Sequence, residues 1–285
     1  MELSQYVSGE RLQGLADISF IPHGNGVGEK DCDFVQKQQA NNNYNVFYYD
    51  EKSIIPDMTG IKTIFVNTWT LDKFFRTILP QLKGRYNFIS HNSDMGLTER
   101  CRYILNSDTV IKWYSQNKDI DHPKAFSLPI GLGNQQYPHG NISLLDSVIS
   151  SNHIKNNLVF KNFSIGTNTA RRSIVDFITH RNGIHMSKPF DQKGYFEAIA
   201  NSMFCISPPG NGVDCHRIWE CLYLKTIPIV ERDSAFKDFE HLPILFVNDW
   251  NMVTLEFLMS KVNMLKMFDN PVPELTMSHW RSKAL

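Results

Sequence analysis

Long apolar runs are missing from this chain, and that excludes a helical membrane span, which needs about 20 consecutive apolar residues. Charge of one sign is missing too. Twenty-nine Lys and Arg offset 29 Asp and Glu, so the overall basic bias of a nucleic-acid binder is absent and only a local patch is left open. Cysteine is scarce and unpatterned. The five (Cys32, Cys101, Cys205, Cys215, Cys221) are an odd number with no Cys-x-x-Cys pair, which argues against a disulfide frame or a zinc site. Several of them fall inside apolar segments, as buried thiols do in a reducing compartment. Residues 1–14 are polar and lack the apolar core of a secretory signal. Cytoplasmic residence, in a bacterium or a virus-infected host cell, is the expectation. No internal repeat or low-complexity tract is visible.

What is present is a core-forming composition, 42% hydrophobic and 12% aromatic over 285 residues, with disorder unlikely to hold on such a chain. Short apolar runs alternate with amphipathic segments. Residues 17–21, 45–49, 63–66, 86–89, 110–113 and 125–128 read as strands, with helices at 31–40, 71–82 and 97–106. After a polar stretch, 143–157, a second series begins. It has strands at 158–163, 184–186, 203–206, 227–230 and 244–247, and helices at 168–179, 192–201, after 213, and 253–267. Such alternation predicts parallel, helix-covered sheets. The expected class is α/β, with two Rossmann-like domains, 1–150 and 151–270, facing across a cleft. A final helix in 271–285 is expected to cross back onto the first domain, anchored by Trp280.

The segment Ser207-Pro208-Pro209-Gly210-Asn211-Gly212 ends the strand at 203–206 and can continue neither strand nor helix. A helix starts near Val213-Asp214, with Asp214 the expected N-cap. A glycine turn feeding a helix N-terminus directs backbone N–H groups and the positive end of the helix dipole at one place, a site for phosphate or diphosphate. Arg217 adds a cation for phosphate, and Glu220 a carboxylate that can accept ribose hydroxyls. Gly166-Thr167-Asn168 repeats the strand-loop-helix geometry, with Arg171 and Arg172 one turn in.

Taken in full, Ser202-x-Phe204-Cys205-x-x-Pro208-x-Gly210-x-Gly212, then His216-Arg217-x-x-Glu220, then Pro228-Ile229-Val230, resembles the nucleotide-sugar-binding half of exostosin-like glycosyltransferases. The resemblance is clearest over 195–250 and looser through Trp113–Asn117 and Leu128–Gly131. It implies the two-domain arrangement called GT-B and a glycosyltransferase as the activity. The donor would be a nucleotide-sugar, expected to be UDP-linked, with UDP-xylose within the range relatives use. Glu220 would hold the ribose and Arg217 the diphosphate, with His216, Pro209, Gly210, Asn211 and Gly212 around them. Loop atoms near Met186–Tyr195 would hold the base. The acceptor would be an oligosaccharide or polysaccharide. The membrane anchor of animal and plant relatives is not seen here.

Inverting transfer needs a general base beside the acceptor hydroxyl. The candidates lie just after first-half strands: His23, Asp31, His91 and Asp94. Asp94 is the first choice, with His91 orienting or replacing it; a turn-forming, helix-capping aspartate is the competing account. Asn117, Tyr137 and His139 fall in loops on the same side and are candidates to line the acceptor pocket. Asp31-x-Asp33 and Asp119-x-Asp121 resemble metal-holding pairs, but no apolar strand leads into either, so no metal is expected. Two other functions remain open. A glycan- or nucleotide-binding protein without turnover is one. An S-adenosylmethionine-dependent methyltransferase using Gly24, Gly26 and Gly28, with Asp50 after the next strand, is the other.

Overall fold

The computed structural model describes residues 1–23, 45–176, 178–179 and 190–284. Among these, β1 (Ile18–Pro22), β2 (Asn45–Tyr49), β3 (Thr63–Asn67), β4 (Tyr86–His91), β5 (Val110–Ser115) and β6 (Ala125–Ser127) form a six-stranded sheet in the order β2-β1-β3-β4-β5-β6. A four-stranded sheet follows, β7 (Asn157–Phe160), β8 (Ser202–Ile206), β9 (Ile227–Glu231) and β10 (Leu245–Val247), in chain order. Every pairing is parallel. The connections carry α1 (Gly9–Gln13), α2 (Leu71–Thr77), α3 (Arg102–Leu105), α4 (Ile142–Ile149), α5 (Ala170–Asp176), α6 (Gln192–Ala200), α7 (His216–Tyr223), α8 (Leu255–Lys261) and α9 (Met277–Ala284). The chain is thus mixed α/β with parallel sheets. The helix expected at 31–40, Asp31, Cys32, Asp33, the triplet Gly24-Gly26-Gly28 and the strand at 184–186 lie outside the described residues.

The strands are apolar on both faces because both faces are covered. On the first sheet Ile18, Phe20, Ile64, Val66, Phe88 and Trp113 enter one buried cluster. The alternate residues Ile21, Phe65, Ile89 and Tyr114 enter another. That second cluster also takes Phe160, Cys205 and Val230 from the second sheet, Trp219 from α7 and Trp280 from α9. The two sheets therefore share part of one interior. Phe204, Ile206, Ile227, Ile229 and Val247 pack on the opposite face of the second sheet.

Two segments depart from expectation. The polar stretch 143–157 begins with α4, capped by the Asn141 side chain, which accepts from Leu144 N at 3.0 Å. Its Ile142, Leu145 and Val148 are buried at helical spacing, a stripe that the intervening serines and aspartate conceal. Residues 9–13, read only as polar, form α1, buried against the end of β4. The C-terminal segment returns to the first sheet, where Tyr114 Oη donates to Lys283 O at 2.8 Å and Ser278 N to Gln5 Oε1 at 3.1 Å. Trp280 is buried and donates to Glu274 O. No helix among the described residues is long and apolar enough to cross a membrane.

Candidate functional site

Loops at the carboxyl ends of the strands carry the site, where doubly wound sheets bind ligands. On the second sheet, β8 runs into Ser207–Cys215 and then α7. The helix starts at His216 with Cys215 as N-cap, and no side chain caps it. The expected cap, Asp214, is buried and used otherwise. Its Oδ2 accepts from Ile130 N at 2.7 Å, and both oxygens accept from Trp219 Nε1 at 2.9 and 3.0 Å. Burial pushes the Asp214 carboxyl up to about 7, against the pull of those donors. Asp214 thus ties α7 to the first sheet, and the amides of the helix N-terminus keep their dipole uncapped.

Arg217 lies in the first turn of α7. Its Nε donates to Tyr195 Oη at 3.0 Å, and its guanidinium stands 5.9 Å from the ring centres of both Tyr195 and Phe163. No described residue accepts from its two terminal nitrogens. Tyr195 Oη in turn donates to Glu220 Oε2 at 3.1 Å. Glu220 is buried, and that burial raises its carboxyl above the usual range despite Arg217 and Tyr195. Tyr195 is the link that orients both charged groups.

Arg171 has a different role. Its Nε donates to Pro209 O at 2.8 Å and its Nη2 to Pro208 O at 3.0 Å. Its Nη1 donates to Ser164 O at 2.8 Å and Thr167 Oγ1 at 2.7 Å. This side chain is a buried clamp between the two loops, not a cation facing a ligand. Arg172, next to it, is exposed on α5. Asn168 belongs to the clamp, donating from Nδ2 to Gly210 O at 2.8 Å while its Oδ1 accepts from Ala170 N. Gly166 N donates to Ser164 Oγ, and Thr167 Oγ1 to Ser164 O. The Gly166–Asn168 loop is therefore closed on itself and on the glycine turn. Within that turn Gly210 N donates to Gly212 O at 2.9 Å, Pro209 is half-buried and Asn211 is exposed.

Gly212 brings the two halves together. A Cβ there would lie 2.7 Å from Asn117 Nδ2 and 3.2 Å from Asp94 O. Only a residue without a side chain allows that approach. Asn117, with φ of 48°, accepts from Asp214 N at 2.9 Å and donates to Asp94 O at 3.0 Å. It pins the halves together instead of lining a pocket. Asp94 thereby sits beside the glycine turn, its side chain exposed at the rim of a cavity of about 250 Å³.

His91 and His216 both line that cavity, and both differ from expectation. His91 Nε2 donates to Pro129 O at 2.9 Å, and its Nδ1 accepts from Asn92 N at 2.7 Å. With both nitrogens committed and burial holding its pKa below the usual range, it neither orients Asp94 nor serves as a base. His216 turns away from the turn amides toward the first sheet. Its Nδ1 donates to Gly131 O at 2.8 Å, and burial brings it down to about 4. Tyr137 and His139 complete one wall, their rings parallel within 4° at 5.6 Å. Trp69 also lines the cavity, a residue the sequence reading passed over. The available signal was an Asn-Thr-Trp run directly after a strand. His23, the remaining described base candidate, is exposed and stacked on Tyr48, at 5.7 Å.

Asp119 and Asp121 form a latch between the halves. Asp119 Oδ1 accepts from Ser234 Oγ at 2.6 Å, and Asp121 pairs with Lys237 at 2.9 Å. Asp50, after β2, holds its own turn by accepting from Lys52 N at 2.9 Å.

No family model matches the chain. No curated protein sequence matches it. Among solved structures, one provisionally named a UDP-N-acetylglucosamine 2-epimerase, from Listeria monocytogenes, aligns over 95% of this chain and 91% of its own. The identity is 11% and the TM-score 0.30, a likeness too slight to support any argument about this protein.

Proposed function

We propose that this protein transfers a sugar from a nucleotide-sugar, UDP-linked, to a hydroxyl of a glycan acceptor. The observation that carries the reading is Arg217. It is a guanidinium oriented by Tyr195, with its terminal donors unclaimed by any described residue, in the first turn of a helix that no side chain caps. That combination suits a diphosphate, which the fork binds bidentately and the helix dipole favours. In the reaction the acceptor oxygen forms a bond to the anomeric carbon as the bond to the diphosphate oxygen breaks. The departing electron pair stays on the diphosphate, which Arg217 and the turn amides stabilise. Asp94 takes the acceptor proton, and displacement inverts the anomeric centre. Glu220 holds the ribose, within the group that Tyr195 organises. Arg171, Asn168, Thr167 and Gly166 act by fixing the turn. No metal enters this scheme. Residues 1–150 would form the acceptor-side unit, 151–270 the nucleotide-binding unit and 271–285 a strap between them.

A melting screen with UDP, GDP, CMP and S-adenosylmethionine, followed by nucleotide release from UDP-sugars with and without glycan acceptors, tests the proposal. UDP should raise the melting temperature and acceptor should accelerate UDP release. A protein stabilised by S-adenosylmethionine alone, or by no nucleotide, would refute it. Tight UDP binding without release would make it a binding module.

A further inference from the structure

The cavity lined by Trp69 and Tyr137 has features that the transfer reaction does not by itself require. Trp69 is 58% exposed and Tyr137 47% exposed. Large aromatics left open to water at the mouth of one cavity mark a binding surface more than a core. The backbone that carries Trp69 is also fixed. The Asn67 side chain accepts from Trp69 N at 3.0 Å and donates to Asn92 O at 3.0 Å, and Thr68 Oγ1 donates to Ser93 Oγ at 2.5 Å. With that backbone fixed, only the indole's own two torsions are left to order when something settles against it.

The parallel pair Tyr137 and His139 lines the same cavity. No described residue bonds either ring nitrogen of His139, which leaves a donor and an acceptor available. The loop that carries it is fixed by Gln192 Nε2, which donates to His139 O at 2.9 Å. The lining contains no lysine or arginine, and burial keeps the imidazoles of His91, His139 and His216 below their ordinary pKa, hence neutral near pH 7. An anionic group would find no cation among the described lining residues and would meet Asp94 at the rim. A neutral molecule with one face of C–H groups and an edge of hydroxyls fits both the aromatic walls and the neutral hydrogen-bonding groups. At about 250 Å³ the space lies below the roughly 300–1,000 Å³ of a drug-sized pocket, which matches one ring.

Resting on the acceptor reading above, we infer that this cavity binds a single uncharged sugar ring, seated against the aromatic rings of Trp69, Tyr137 and His139 that line it. The ring's hydroxyl nearest Asp94 is then the one beside Gly212.

The five tryptophans supply the test. Trp113, Trp219, Trp250 and Trp280 are buried, so acrylamide quenching of the intact protein reports on Trp69. Methyl glycosides of glucose, galactose and xylose are titrated in, with glucuronate and UDP as comparators, and UDP melting shifts are recorded in parallel. At least one neutral glycoside is expected to reduce quenching by roughly half, and Tyr137→Ala to abolish that protection without changing the melting temperature. Protection unchanged in Tyr137→Ala, or stronger with glucuronate than with its neutral parent, overturns the inference. Protection by UDP alone overturns it as well, since the nucleotide would then occupy the cavity. If no glycoside protects while UDP still stabilises the protein, the cavity inference fails and the nucleotide reading stands. If glycosides protect and no nucleotide stabilises, the inference holds and the transferase reading fails.

Discussion

Two loops on the second sheet lead from a strand into a helix, each with an arginine in the following turn. Ahead of α5, the Arg171 donors are spent on Ser164, Thr167, Pro208 and Pro209, all within 3.0 Å. Ahead of α7, Arg217 spends one donor on Tyr195. The local sequences look alike, yet one arginine holds the loops while the other keeps its terminal donors uncommitted among the described residues. The difference lies in burial. Arg171 is enclosed, so its charge must be satisfied by carbonyls, because an unpaired buried donor is costly. Arg217 stands at the half-open side of the same turn, flanked by rings that orient it without occupying it.

Removing each arginine separates the two roles. Arg217→Ala should lower acceptor-dependent UDP release by about 10²–10³-fold while leaving urea unfolding nearly unchanged. Arg171→Ala should instead lower unfolding free energy by about 2–4 kcal/mol, because it strips partners from buried carbonyls, and activity should fall only as far as the turn loosens. A stable Arg171→Ala protein that no longer binds UDP would collapse the distinction.

Gly212→Ala tests whether both loops depend on the junction with the first sheet. A Cβ 2.7 Å from Asn117 Nδ2 must displace a side chain held at both ends, which should cost about 1–3 kcal/mol. Turnover should fall with it, since Asp94 and the turn move apart. Full activity at lowered stability would separate Asp94 from the reaction.

The smallest effect concerns pH. Asp214, raised to about 7, binds its proton more tightly folded than unfolded, so its contribution to stability is present at low pH. That contribution is lost as pH rises from about 4 toward 7. His216, lowered to about 4, acts oppositely between about 4 and 6.5. Comparison with Asp214→Asn therefore isolates the carboxyl. Wild type should lose stability relative to the variant as pH rises through that range, in urea melts at fixed ionic strength. A pH-independent difference would mean that Asp214 stays charged in its buried site.

Much of the fold was legible in the chain because the signals are local. Period-two burial with Ile18 and Phe20 on one face and Ile21 on the other belongs to a few consecutive residues, and most strands sit within two residues of expectation. The turn at 207–212 was equally visible, since proline and glycine restrict the backbone wherever they occur. Helix α4 was not, because its apolar stripe is narrow and its cap is a single asparagine.

The site residues divide on the same principle. Composition and spacing placed a cation and a carboxylate in the opening turns of one helix, and that much Arg217 and Glu220 needed from sequence alone. Which arginine is free, that Asp214 joins the halves instead of capping, that His91 is locked by Pro129, and that Trp69 and Tyr137 line one cavity were decided by tertiary structure. Each depends on a partner tens of residues away, and the hydrogen bonds available to a side chain are fixed by what folds against it.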